Sequence, residues 1–212
     1  MQVAIVTFDG FNELDSFIAS ALINRARGAG LRAYITTPTD AVTSMNGVTV
    51  RGQRPLEFIA EADAVLVGSG IRTLDVVADP SLLEALPLDP GRQLIGSQCS
   101  GALVLAELGL LGSMPVCTDT TSRPFVEDRG VTVLDSPFHA EGSIATAGGC
   151  FASQYLAAWT ISRTLGDAAA RAAVDYVAPV GEKDKTVRHV MATIRAGAPA
   201  LKKPRAGEVV RR

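Results

Sequence analysis

The run from Gln93 to Ala106 constrains this chain most. An apolar stretch, Leu94-Ile95-Gly96, leads through Ser97-Gln98 to Cys99, and Ala102-Leu103-Val104-Leu105-Ala106 begins a helix at once. A strand that turns straight into a helix belongs to a sheet covered by helices, and a nucleophile on the turn is lifted clear of that sheet. Cys99 stands where the G-x-S-x-G elbow carries its serine. At a helix N-terminus the unpaired backbone N–H groups and the dipole favour thiolate over thiol, so a nucleophilic or oxidisable sulfur is expected. The competing reading is a buried, inert cysteine, the commonest state of a free thiol.

The remaining segments supply the sheet. Residues 3–8 form a continuous apolar strand closed by Asp9-Gly10, as a parallel strand buried on both faces requires. A helix is predicted over 12–27, with Leu14, Phe17, Ile18, Leu22 and Ile23 near 3.6-residue spacing and Gly28 and Gly30 ending it. A strand over 32–37 follows, then a small hairpin over 42–50 turned on Asn46-Gly47. Residues 64–67 read as another buried strand, ending in Gly68-Ser69-Gly70, with short helices near Asp75 and over 81–86. The elbow helix is expected to run to about Leu111. Shorter strands are predicted near Val116, over 131–134 and over 143–146, with helices over 151–165 and 168–176. Alternating strands and helices without a linker point to one α/β domain, a flavodoxin-like three-layer sandwich around a mostly parallel sheet. The domain is expected over 1–180, with 181–212 a C-terminal extension, partly helical and then a basic flexible tail.

Composition narrows the function classes. With 47% hydrophobic but only 5% aromatic residues, the core must be built of Val, Leu, Ile and Ala. A net charge of −2 gives no reason to expect a nucleic-acid partner. The basic residues Lys202, Lys203, Arg205, Arg211 and Arg212 of the tail read as a solvated end. Three cysteines without a CxxC spacing, and His139 and His189 far apart, show neither a disulfide framework nor a metal-ligand pattern, so no metal and no cofactor is expected. No apolar run reaches the roughly 18 residues a membrane span needs, and no signal peptide is evident, so a cytoplasmic protein is expected.

In a parallel sheet, ligands gather outside the carboxyl ends of the strands. That edge collects Glu13 and Asp15 after the first strand, the N–H groups of Ser69 and Gly70 after the third, and Cys99 and Ser100 at the elbow. The Ser100 N–H with one from Ser69 or Gly70 would hold an oxyanion, and a protonated Asp15 would partner the sulfur. Taken alone, Asp15 reads as helix N-terminal stabilisation and Gly68-Ser69-Gly70 as a plain strand-to-helix turn.

Five stretches together resemble the ThiJ/PfpI family: Phe11-Asn12-Glu13-Leu14-Asp15, Thr43-Ser44-Met45-Asn46-Gly47, Val65-Leu66-Val67-Gly68-Ser69-Gly70, Cys99 to Ala106, and Thr146-Ala147-Gly148-Gly149. The resemblance implies a flavodoxin-like sandwich, usually homodimeric, with an elbow cysteine and a first-helix carboxylate acting on a small molecule. Leu14-Asp15 and the hydroxyl of Ser100 resemble the isonitrile hydratase-like branch, which converts an isonitrile to an N-substituted formamide. On that resemblance Cys99, Asp15 and Ser100 are catalytic, with Gly68, Ser69, Gly70, Asp119, Gly148 and Gly149 around the pocket. Two other functions compete: a cysteine redox or small-molecule sensor, and glyoxalase- or deglycase-like action on 2-oxoaldehydes. The chain departs from the family at Asp119, where most relatives carry histidine, and at Gly68-Ser69-Gly70, where Pro-Gly-Gly is usual. Cys117 and Cys150 are extra thiols beside the expected site, either resolving partners for an oxidised Cys99 or small buried fillers.

Overall fold

The computed structural model describes residues 1–198, and the basic residues expected to form a solvated tail lie outside them. The strands are β1 (Gln2–Val6), β2 (Arg32–Thr37), β3 (Ala41–Thr43), β4 (Thr49–Arg51), β5 (Arg54–Pro55), β6 (Ala64–Val67), β7 (Leu94–Gln98), β8 (Phe138–Glu141) and β9 (Ile144–Ala147). The helices are α1 (Glu13–Ile23), α2 (Thr73–Val77), α3 (Pro80–Glu84), α4 (Gly101–Glu107), α5 (Arg123–Glu127), α6 (Ser153–Leu165), α7 (Asp167–Val177) and α8 (Lys183–Gly197). Seven strands form one sheet in the order β5-β2-β1-β6-β7-β9-β8, parallel throughout except for β8 against β9. This is the flavodoxin-like α/β sandwich read from the sequence.

The two-residue period of the strands divides the core into two halves. Val3, Ile5, Ala64 and Leu66 face one half, against Leu22, Leu156, Trp159, Val174, Val190 and Met191 of α1, α6, α7 and α8. Ala4, Val6, Val65 and Val67 face the other, against Phe58, Val76 and the Leu103 and Val104 side chains of α2 and α4. Strands buried on both faces read as near-continuous apolar runs, which is why β1 and β6 were legible.

Several expectations shift in detail. The regular first helix ends at Ile23 and tightens into a 3-10 turn over Asn24–Ala29. Its buried face is Asp15, Ser16, Ala19, Leu22 and Ile23, which leaves Leu14 and Phe17 exposed. The hairpin of β3 and β4 closes through five residues, 44–48, not the two of Asn46-Gly47, because the Ser44 hydroxyl accepts from the N–H groups of Asn46 and Val48. Residues 131–134 contribute only a bridge between Val133 and Val116. The strand that does form there, β8, turns back along β9 through Gly142 at φ +59°. The elbow helix stops at Glu107. None of the described helices is long and apolar enough to cross a membrane.

The elbow depends on one close approach. A Cβ on Gly101 would lie 2.5 Å from the Val67 carbonyl oxygen and 2.9 Å from that of Gly68, so only glycine lets α4 start against the end of β6. Gly101→Ala should therefore lower stability by about 1–3 kcal/mol in urea unfolding, the usual cost of overpacking. Gly28→Ala, with nothing within 4 Å of the added carbon, should change it little. Equal effects of the two substitutions would contradict this packing.

Candidate active site

Cys99 has φ +47°, the only positive value for a non-glycine residue among the described residues. Left-handed backbone is uncommon for a residue with a side chain and persists where neighbours hold it. Here the Cys99 N–H donates to the Ala147 carbonyl at 2.8 Å, and the Thr118 hydroxyl donates to the Cys99 carbonyl at 2.8 Å. The sulfur-bearing residue is 3% exposed.

Asp15 reaches the same place through a different set of backbone contacts. The loop after β1 is gripped from both sides: Gly10 N–H donates to Thr43 and Met45 N–H to Phe11, while Asn12 N–H donates to Ser69 and Ile71 N–H to Gly10. Asn12 then caps α1, its side-chain oxygen accepting from the Leu14 N–H at 3.1 Å. The two acids of the first turn diverge. Glu13 turns to the hairpin loop, accepting from the Ser44 hydroxyl at 2.5 Å and the Asn46 amide at 2.9 Å. Asp15 turns inward and is 2% exposed. The Ser69 hydroxyl donates to its Oδ2, while Oδ1 has no hydrogen-bond partner. The Ser153 hydroxyl donates to the Asp15 carbonyl at 2.7 Å, tying the start of α6 to this turn.

A carboxylate oxygen of Asp15 and the sulfurs of Cys99 and Cys150 lie within 4.8 Å of one another. Amide groups address both sulfurs. Gln98 Nε2 lies 3.5 Å from Cys99 Sγ while also donating to the Gly149 carbonyl at 2.8 Å, and Asn12 Nδ2 donates to Cys150 Sγ at 3.1 Å. Burial raises the Asp15 carboxyl to about 6, against the hydrogen bond from Ser69 and the nearness of the Cys99 and Cys150 thiols, which pull the other way. Burial likewise pushes the Cys99 thiol far up, and the charges of Asp15, Cys150 and Asp119 add to that rise. Cys150 is raised by burial and by Asp15. Burial and the neighbouring acidic groups act against the helix N-terminus behind Cys99, and the raised thiol departs from the thiolate favoured by the sequence reading. Cys117 is fully buried outside the cluster, its N–H donating to the Thr146 hydroxyl at 2.8 Å, and burial raises its thiol to about 11.

The other residues singled out in the sequence take different places. The Ser100 hydroxyl lies 2.7 Å from that of Thr73 and accepts from the Gly70 N–H at 3.2 Å, so this N–H is engaged and not free for an oxyanion. Gly68 packs where a Cβ would meet the Val6 carbonyl at 3.1 Å and the Ser16 hydroxyl at 3.2 Å. Asp119 accepts from the N–H groups of Thr121 and Ser122, both at 2.9 Å, and so starts the turn into α5. With Gly148 and Gly149 it lines a cleft of about 390 Å³ that also contains Arg123 and Asp135 but neither Cys99 nor Asp15. Both histidines are engaged away from the cluster, His139 with Glu141 and His189 with the Tyr155 hydroxyl. Gln98 and Asn12 join the site unforeseen. The available signal for Gln98 was a long polar side chain inside an apolar strand.

A carboxyl raised from 3.8 to about 6 on folding favours the neutral form in the folded state. Its destabilising effect is absent below the unfolded value and complete above the folded one. Asp15→Asn should accordingly be more stable than the parent at pH 8, by up to about 3 kcal/mol, with the difference vanishing near pH 4. A loss of stability at pH 8 in the same unfolding experiment would contradict the burial assigned to this group.

The sequence model of the DJ-1/PfpI family matches residues 1–162. Among solved structures, Schizosaccharomyces pombe DJ-1 superposes with a TM-score of 0.74 at 16% identity, covering 84% of this chain and 100% of that one. A DJ-1 superfamily protein from Salmonella typhimurium gives 0.73 at 21% identity, covering 83% and 97%. A ThiJ/PfpI family protein from Pseudomonas syringae gives 0.72 at 18% identity, covering 92% and 88%. No curated protein matches the sequence. At these identities the structural likeness speaks for the fold, and the match over most of the sequence speaks for the family: the chain belongs to the DJ-1/PfpI family.

Proposed function

We propose that the protein is a cysteine-dependent enzyme that adds Cys99 to a small electrophilic carbon, with hydration of an isonitrile to an N-substituted formamide as its reaction. The observation that carries this reading is the buried Asp15–Cys99 pair, a carboxyl titrating near neutrality beside a protonated thiol. An isonitrile needs both a proton and a nucleophile at the same terminal carbon. Asp15 gives its proton to that carbon and the Cys99 sulfur bonds to it, while the thiol proton replaces the one Asp15 gave up. The product of this step is a thioimidate, R–N=CH–S–Cys99. Water then adds to the CH carbon, the C–S bond breaks, and the sulfur leaves with a proton, giving R–NH–CHO and the starting thiol. No electrons are transferred.

The surroundings suit an uncharged substrate. The charge outside the cluster that acts most on the pair is acidic, that of Asp119, and neither histidine approaches it to form the ion pair of a cysteine peptidase. The same lack of histidine disfavours action on 2-oxoaldehydes. A second reading, a redox sensor, draws support from the Cys150 sulfur beside Cys99. The exposed Leu14, Phe17, Met45, Ile71 and Phe151 surround the loop that carries Asp15, which supports a homodimer through this face. Three free cysteines fit a reducing compartment, the cytoplasm.

The test is formamide production from an alkyl isonitrile. Turnover is expected for the parent, with loss of at least about a hundredfold in Cys99→Ser and in Asp15→Asn, as removal of a nucleophile or its proton donor entails. Sedimentation of the same samples reports whether the active species is a dimer. Undiminished turnover in either variant, or none in the parent with clean oxidation at Cys99 by peroxide, would overturn the hydratase reading.

A further inference from the structure

We propose that Asp15, Cys99 and Cys150 form a binding site for a divalent cation of the zinc class, held by one carboxylate oxygen and two sulfurs. The inference stands on the geometry of the cluster and does not rest on the hydratase reading.

The spacing is the first argument. Zn–S bonds of about 2.3 Å and Zn–O bonds of about 2.0–2.2 Å put the donors of one tetrahedral ion roughly 3.5–3.8 Å apart. The three donor atoms already lie within 4.8 Å of one another, so an ion would need only small movements. The second argument is the orphaned Asp15 Oδ1, a buried oxygen in a residue 2% exposed that has no hydrogen-bond partner while its sister oxygen is held by Ser69.

The third argument is the set of groups behind the donors. Each ligand has one neutral hydrogen-bond donor orienting it: Ser69 for Asp15, Gln98 for Cys99 and Asn12 for Cys150. Metal ligands are commonly fixed by such outer partners, which set their orientation and basicity. No cationic side chain is among these partners, and Asp119 adds further negative charge nearby. Two sulfurs with one oxygen favour zinc, cadmium or cobalt over magnesium or calcium. Three protein ligands leave one position for water or an exogenous ligand. Access is from the Gly149–Cys150 side, where Gly149 is exposed and Cys150 partly so. A bound ion would take the same sulfur and oxygen that covalent chemistry needs, so occupancy would switch the thiol reaction off.

The experiment is a titration of the reduced, chelator-stripped full chain with Co(II) under anaerobic conditions, followed by Zn(II). One cobalt per chain should give sulfur-to-cobalt charge transfer in the near ultraviolet with the visible bands of a four-coordinate ion, and Zn(II) should abolish both. Cys99→Ser and Cys150→Ser should each weaken cobalt binding more than tenfold and diminish the charge-transfer band. Cys117→Ser should leave the spectrum unchanged. Asn12→Ala keeps all three ligands and should weaken binding about ten- to a hundredfold, the usual effect of removing an outer partner. Only six-coordinate cobalt spectra, or a parent-like spectrum in Cys150→Ser, would overturn the site. So would a cluster that takes up no metal when reduced and merely forms a Cys99–Cys150 disulfide on exposure to peroxide. The readout involves no turnover, so failure of the hydratase assay leaves it untouched, and absent cobalt bands do not count against turnover.

Discussion

The site depends on the left-handed backbone at Cys99. Such a conformation costs a residue with a side chain on the order of 1–3 kcal/mol, and it survives only where the surroundings leave no alternative. Three contacts remove the alternatives: the Cys99 N–H is bound to Ala147 in the neighbouring strand, its carbonyl is bound by Thr118, and Gly101 lets α4 begin against the backbone of Val67 and Gly68. Two of these contacts come from the two neighbours of β7, so the sheet order β6-β7-β9 is a condition for the elbow. The same end of β6 supplies Ser69, which holds Asp15, and the turn after β9 supplies Cys150. Sheet, elbow and acid are therefore one mechanical unit.

What this unit creates is a buried cluster of a carboxyl and two thiols whose side-chain hydrogen-bond partners, among the described residues, are all uncharged. Burial disfavours every charged form, and the charges that remain are of one sign. In water a thiol and a carboxyl titrate far apart; here burial raises both, and the Asp15 charge adds to the rise at Cys99. A cysteine beside histidine stores its reactivity in a preformed thiolate, whereas under the two proposals above this one would react through proton transfer with its partner or on arrival of a positive charge. The proposed addition chemistry and the proposed cation site are two uses of that single electrostatic feature.

Legibility followed burial. β1 and β6 are covered on both sides, so an apolar run identified them, while β7, Leu94 to Gln98, was legible from its short apolar start and the turn into a helix that follows it. The edge strand β8, Phe138-His139-Ala140-Glu141, has one partner and a mixed composition, and its signal was weaker than that of the more apolar 131–134, which makes only a bridge. Apolar residues on α1 misled in another way, since Leu14 and Phe17 face outward while Asp15 and Ser16 take buried positions. The elbow, Asp15 and Cys99 were readable because each sits at a fixed offset from a strand end. The engagement of Gly70 N–H by Ser100 was not, because it depends on side-chain rotamers. Nor could spacing reveal the Asp15–Cys99–Cys150 cluster, whose donors come from three separate segments and converge only when the sheet is assembled.

The most direct test of this account is the ionisation of Asp15 itself, read from the carboxyl carbon in NMR spectra of protein labelled with carbon-13 aspartate and assigned by its loss in Asp15→Asn. The account requires a carboxyl that remains protonated well above the ordinary aspartate range and titrates near pH 6, with the midpoint changing in Cys99→Ser. A carboxyl already ionised at pH 4, indifferent to removal of the thiol, would contradict the buried Asp15–Cys99 contact on which the proposed chemistry is built.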